Sequence, residues 1–275
     1  MRVTRNIAEM RSEVVKLSRP LGFVPTMGAL HAGHMRLIEV ARKECASVVA
    51  SLFVNPLQFG EHEDLERYPR DADGDKVKFA DAGVDALFLP NVSEIYPEGF
   101  STRVDVGKIG TVFEGAIRPD HFRGVATVVT KLLNVVQPDI VYLGQKDAQQ
   151  TAVLRKLVRD LSIPVEVRIV PTVRETDELA MSSRNTYLDE RERAAAPALY
   201  HALEAIQQAM SSGVLKKEAI KAAGRVFGHV GVLDYLEVVD ADTFEPIETL
   251  RAPAFIIGAA RFGNTRLIDN LWIAA

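Results

Sequence analysis

The sequence predicts an α/β chain: a parallel-sheet domain with helices on both faces over residues 1–173, then a smaller α+β domain over 174–275. Three observations predict it. Apolar runs of strand length at 21–24, 47–54, 85–89, 139–143 and 165–170 alternate with helical patterns. Two of these runs empty into glycine turns that open helices, the arrangement of a Rossmann-like unit. From Arg174 the alternation stops, and segments 233–239, 254–260 and 265–273 follow one another as strands of a small sheet, expected to be antiparallel.

In order along the chain, Ile7, Met10, Val14 and Leu17 stand at helical spacing, predicting an amphipathic helix over 4–17 that ends at Arg19-Pro20. The run 47–54 is continuously apolar and valine-rich, as expected of a strand covered on both faces. An acidic, irregular stretch over 61–75 leads into a helix that closes near Ala82. Residues 101–117 read as irregular with possible short strands. Val125, Val128, Val129, Leu132, Leu133 and Val136 mark a well-buried helix that Pro138 stops. In the second domain, helices are expected over 190–210 and 215–226, separated by Gly213.

Composition narrows the field. With 275 residues, 47% hydrophobic and 25% charged, the chain has ample material for a core, and a net charge of -4 offers no general field for nucleic acid. No run is long enough to span a bilayer, and residues 1–13 lack the apolar core of a signal peptide. A single cysteine, Cys45, sits on a helical pattern and reads as buried filler, compatible with a reducing compartment; the expected location is cytoplasmic.

The first glycine turn, Pro25-Thr26-Met27-Gly28-Ala29-Leu30-His31-Ala32-Gly33-His34, places two imidazoles three residues apart where a turn becomes a helix. Unpaired N–H groups and a partial positive charge gather at such a terminus, and each ring adds a donor, so the place suits a phosphate. The second turn, Gly144-Gln145-Lys146-Asp147, pairs a close-approach glycine with a lysine that has the reach to contact phosphates. Asp147 reads equally as a helix cap or a ribose ligand. Asn55 and Gln58 follow the carboxyl end of a strand, where ligands bind in open α/β sheets, although position alone fits an inconsequential polar loop as well. Met181-Ser182-Ser183-Arg184-Asn185 offers two hydroxyls and a guanidinium, a plausible second phosphate clamp.

Assembled, these stretches resemble the pantothenate synthetase (pantoate–β-alanine ligase) family over nearly the whole length. The resemblance is carried by 25–34, 53–60, Tyr68-Pro69-Arg70, 118–125, 144–150 and 181–185. His31-Ala32-Gly33-His34 alone would indicate only the wider HxGH nucleotidylyl transferase superfamily. The resemblance implies that ATP and pantoate form pantoyl adenylate and pyrophosphate, and that β-alanine then displaces AMP. It implies that His31, His34, Lys146, Ser182, Ser183 and Arg184 act on the phosphates, with His34 the proton donor. Residues Met27, Gly28, Ala29, Leu30, Ala32, Gly33, Gly144, Gln145, Asp147, Val173 and Met181 complete the ATP site. Gln58 and Gln150 become pantoate ligands, Gln58 shared with β-alanine and Asn55 nearby. Neutral amides suit a hydroxy acid because they place no fixed cation against the attacking carboxylate.

The resemblance further implies Mg²⁺, with Asp75 in the sequence Asp71-Ala72-Asp73-Gly74-Asp75 as its candidate contact, and a homodimer. Closure of 181–184 over the site is expected to exclude water from the acyl adenylate. A nucleotidylyl transferase acting on a phosphorylated acceptor would want a basic pocket where Gln58 and Gln150 are neutral. A catalytically silent nucleotide-binding protein is the alternative from another class. No membrane or nucleic-acid partner is expected.

Overall fold

The computed structural model describes residues 1–60, 63 and 65–274; Glu61, His62 and Asp64 of the acidic stretch lie outside the described residues. In chain order the elements are β1 (Arg2–Thr4), α1 (Ile7–Val14), β2 (Leu21–Thr26), α2 (Ala32–Glu44), β3 (Ser47–Leu52), α3 (Ala72–Asp81), β4 (Ala86–Phe88), α4 (Val92–Ile95), α5 (Glu114–Ile117), α6 (His121–Val136), β5 (Ile140–Gly144), α7 (Ala148–Asp160) and β6 (Glu166–Val170). There follow α8 (Glu190–Ala195), α9 (Ala198–Ser211), α10 (Lys216–Phe227), β7 (Val232–Asp240), β8 (Ala254–Phe262) and β9 (Thr265–Ile273).

Contacts divide the chain into two compact units, Met1–Gly144 with Val153–Val170, and Gln145–Ala152 with Pro171–Ala275. Sequence alternation suggested a division after residue 173; the contacts put it at Val170 and assign the first turns of α7, with the Lys146 turn, to the second unit.

The first unit is a parallel six-stranded sheet in the order β1-β4-β3-β2-β5-β6. All six residues of β3 are buried, as its continuous apolar run requires. Side chains of α1 and α6 fill one face of the sheet with Phe23, Val49 and Val141, and Leu37, Ile38 and Ala41 of α2 fill the other with Val24, Ala50 and Tyr142. Because β3 and β4 lie on one side of β2 and β5 on the other, strand order reverses beside β2. Ligand crevices in such sheets lie beyond the carboxyl ends at that reversal, where the His31 turn begins.

The second unit packs α9 and α10 against the antiparallel sheet β7-β8-β9, with Leu199, Leu203, Ile206, Ala223 and Phe227 facing Val238, Ile256 and Phe262.

Three expectations are corrected. Residues 2–4 form an edge strand that pairs with β4, where a helix from residue 4 was expected; three residues are too few to show a period. Segment 101–117 holds no strand and instead carries a 3₁₀ turn, Gly107–Gly110, and α5. The helix expected over 190–210 is two, because Pro197 has no N–H to continue α8 and instead opens α9.

Candidate active site

In the first unit, His31 is the N-cap of α2 and His34 occupies its third position. His31 Nδ1 accepts the Gly33 N–H at 3.1 Å, and His34 Nδ1 accepts the His31 N–H at 3.4 Å. Each ring therefore spends its Nδ1 lone pair on a backbone donor, so the neutral tautomer carries its proton on Nε2. The rings stand 4.2 Å apart, half-buried. This reciprocal capping box, made by two histidines in place of the usual hydroxyl and carboxylate, turns the motif into a pair of oriented N–H donors at a helix N-terminus.

The preceding turn holds Gly28 at φ 90°, which glycine adopts freely, and Ala29 at φ 53°, a left-handed conformation that needs external support. Asp75 supplies it. Its oxygens accept the Ala29 N–H at 2.8 Å and the Leu30 N–H at 3.0 Å, while Lys78 donates to the Leu30 carbonyl at 2.9 Å. Asp75 is 1% exposed, so its carboxylate is committed to the turn and not presented to a metal. Among the described residues no group of three His, Cys, Asp or Glu side chains could hold a metal ion, and a Mg²⁺ held with ATP needs no such cage, since phosphates and waters supply most of its ligands. Asp75→Asn is expected to cost about 1–3 kcal/mol, because an amide nitrogen then faces a backbone N–H. The variant raises the KM for ATP and leaves the Mg²⁺ concentration for half-maximal rate unchanged; a shift in that concentration would restore Asp75 as a metal ligand.

Gln58 closes a 3₁₀ turn, Pro56–Gln58, that Asn55 caps. Asn55 is 1% exposed and fully used: it accepts from Leu57 N–H and Tyr96 O–H, and donates to Gln58 Oε1 and the Gly124 carbonyl. Its place is therefore behind Gln58, where the sequence had it as a further ligand. The amino end of α6 presses on the same turn. His121 Nδ1 stands 2.8 Å from the Gln58 carbonyl, which can only accept, so that nitrogen carries the proton. Arg118, paired with Glu63, reaches the same carbonyl at 3.3 Å.

Burial and then the Arg118 charge push the His121 pKa down to about 4. An unfolded histidine titrates near 6.5, so as pH falls from 6.5 towards 4 the unfolded chain takes up a proton that the folded one refuses. Stability contributed by neutral His121 is present above 6.5 and lost through that window, up to about 3 kcal/mol. His121→Asn keeps an N–H towards Gln58 and cannot titrate, so chemical denaturation at pH 7 and pH 4.5 is expected to show a smaller difference than in the wild type. An unchanged difference contradicts the depressed pKa.

In the second unit, an antiparallel bridge between Arg174 and Ala180 brings Val173 beside Met181, whose N–H donates to the Val173 carbonyl at 3.0 Å. Ser182 caps the 3₁₀ turn Ser183–Tyr187 through its hydroxyl, which accepts the Arg184 N–H at 3.3 Å. Lys146 and Ser182 line one shallow hollow together with Asn185, Tyr200 and Asp269. The Lys146 turn is anchored from β9: buried Asn270 donates through Nδ2 to the Gln145 carbonyl at 3.0 Å and the Lys146 carbonyl at 2.9 Å. Asp269 beside it takes a two-pronged ion pair from Arg174, which also stacks on Tyr200 at 3.9 Å. Asp147 is exposed just before α7 and Gln150 half-buried in its first turn.

Of the predicted residues, Met27–His34, Asn55, Gln58, Asp75 and Gly144 thus belong to the first unit, and Gln145–Asp147, Gln150, Val173 and Met181–Arg184 to the second. Sequence reasoning missed Tyr96, His121, Arg174, Asp269 and Asn270 as supports. Only His121, inside the motif 118–125, carried a signal.

A parallel sheet bearing an H-x-G-H turn on a helix N-terminus, with a second α+β unit bearing a hydroxyl–arginine turn, defines an α/β enzyme of the HxGH nucleotide-dependent class. Comparison with known proteins narrows this. The family model described as pantoate-beta-alanine ligase matches residues 2–272, and the chain belongs to that family of ligases. It is 50% identical to a pantothenate synthetase of Thermus thermophilus over 274 residues, 98% of this chain and 99% of that protein. It is 49% identical to the pantothenate synthetase of Herpetosiphon aurantiacus over 275 residues, 98% of this chain and 99% of that one. A crystal structure of pantothenate synthetase from Thermus thermophilus matches with a TM-score of 0.94 over all of both chains, at 50% identity. The pantoate-beta-alanine ligase of Francisella tularensis, solved with beta-gamma ATP and beta-alanine, matches with a TM-score of 0.81 at 35% identity, covering 99% of this chain and 97% of that one.

Proposed function

We propose that the chain joins pantoate to β-alanine through pantoyl adenylate. A pantoate carboxylate oxygen attacks the α-phosphorus of ATP, and the bond to pyrophosphate breaks. The β-alanine amine then attacks the acyl carbon, loses a proton, and AMP departs with the carboxylate oxygen that had bridged. Charge grows on the equatorial phosphate oxygens and on pyrophosphate, so positioned donors are what the first step needs. One observation carries the reading: the two Nδ1 caps that fix His31 and His34 as Nε2–H donors at the α2 N-terminus.

In this reading His31 and His34 donate Nε2–H hydrogen bonds to the phosphates, with the His34 donor placed on the departing pyrophosphate, whose charge it stabilises without giving up its proton. Lys146 neutralises charge near the transferred phosphoryl group, and Ser182, Ser183 and Arg184 hold the β- and γ-phosphates. Gly144, Asp147, Val173 and Met181 bind ribose and adenine. Gln58 and Gln150 bind pantoate. Mg²⁺ would arrive with ATP as its counter-ion, since Asp75 is committed to the Ala29–Leu30 turn. Family membership supports a homodimer, which sedimentation equilibrium tests. No helix among the described residues is long and apolar enough to cross a membrane; the cytoplasmic location is proposed from the single cysteine, which suits a reducing compartment.

The test is AMP release from ATP and Mg²⁺ with pantoate and β-alanine together and with each omitted. Release that requires both, with pyrophosphate formed on pantoate alone, supports the ligase. AMP release that needs neither overturns it.

A further inference from the structure

We propose that Tyr96 and Asn55 are positioning residues that lock the Gln58 side-chain amide with its NH₂ turned away from Asn55, so that Gln58 recognises the acid substrate by donating onto its oxygens. The proposal rests on the reading of Gln58 as a substrate ligand.

Backbone groups decide the orientation. Asn55 Oδ1 lies 3.3 Å from the Leu57 N–H, which can only donate, and Asn55 Nδ2 lies 3.1 Å from the Gly124 carbonyl, which can only accept. These two neighbours fix which end of the Asn55 amide is oxygen and which is nitrogen. The remaining hydrogen on Asn55 Nδ2 points at Gln58 from 3.0 Å, so the Gln58 atom there must be Oε1. Gln58 Nε2 is therefore directed elsewhere, and its contact is Met27 Sδ at 3.1 Å. A thioether is a weak acceptor that a carboxylate or hydroxyl oxygen displaces readily.

Tyr96 completes the lock from the opposite side. Its hydroxyl donates to the second lone pair of Asn55 Oδ1 at 2.8 Å, and burial raises the phenol pKa, which keeps that proton in place. The ring is held against Phe53 and Phe100, with centroids 6.1 and 4.9 Å away. Without the Tyr96 proton, Asn55 retains only the long bond to Leu57 N–H on its oxygen, and the whole relay loosens.

The experiment measures pantoate KM, ATP KM and kcat by ATP–pyrophosphate exchange without β-alanine, for Gln58→Ala, Gln58→Glu, Tyr96→Phe and Tyr96→Phe combined with Gln58→Ala. Tyr96→Phe preserves the ring packing and is expected to raise pantoate KM roughly 5- to 10-fold, with ATP KM and kcat within about 2-fold of wild type. Gln58→Glu puts an acceptor where the donor stood, and is expected to raise pantoate KM further than Gln58→Ala does. Tyr96→Phe adds nothing in the Gln58→Ala background, because its effect runs through the Gln58 amide; a merely structural role would add. An unchanged pantoate KM in Gln58→Ala defeats the ligand reading itself. A raised KM in Gln58→Ala with none in Tyr96→Phe defeats the relay alone, and Gln58→Glu no worse than Gln58→Ala defeats recognition by donation.

Discussion

Lys146→Ala keeps its fold and loses pyrophosphate release by about 10²- to 10³-fold in an assay with ATP, Mg²⁺ and pantoate. The fold survives because the turn is held by its main chain: Asn270 bonds the carbonyls of Gln145 and Lys146 and touches nothing that the substitution removes. In the proposed role of Lys146 the rate falls because a preorganised cation beside developing phosphate charge is worth about 3–4 kcal/mol in the transition state. That charge is greatest in the transition state, so kcat suffers more than the KM for ATP. Circular dichroism checks the first half of the prediction and the rate of pyrophosphate release the second. Near-normal pyrophosphate release would remove Lys146 from the chemistry.

Gly124→Ala acts through packing. A Cβ at this position would stand 2.1 Å from the Leu57 carbonyl oxygen, 2.4 Å from its carbon and 2.7 Å from the Gln58 nitrogen. These are backbone atoms that cannot rotate aside, and α6 cannot retreat, since Val125, Val128, Val129, Leu132 and Val136 are buried in the sheet's core. We expect a loss of about 3 kcal/mol and a fall in Tm of roughly 5–10 °C. The displaced Pro56–Gln58 turn also raises the KM for pantoate. A Tm within about 2 °C of wild type contradicts the close contact.

Much of the fold was legible because its strands are continuous apolar runs between helices of regular period. Ser47–Leu52 is buried at every position and could hardly be read otherwise. Arg2–Thr4 was illegible: an exposed arginine and two β-branched residues acquire strand identity only from β4. The site divides along the same line. His31 and His34 stand out because they are rare residues in a short motif, yet their mutual capping depends on backbone angles that the motif does not print. Asp75 is visible as one acid among several, and only the fold shows that it serves a turn 45 residues upstream. Asn270 and Tyr96 gave no signal, since an amide on a strand and a tyrosine before a loop are ordinary until the chain brings them to Lys146 and Asn55.

The central claim, an acyl adenylate formed by attack of the acid on ATP, is tested most directly by oxygen transfer. Pantoate labelled with ¹⁸O in its carboxylate is turned over with ATP and β-alanine, and the AMP is analysed by mass spectrometry. One labelled oxygen in AMP is the predicted result, because the bridging oxygen leaves with the phosphate when the amine attacks. AMP free of label would contradict the account.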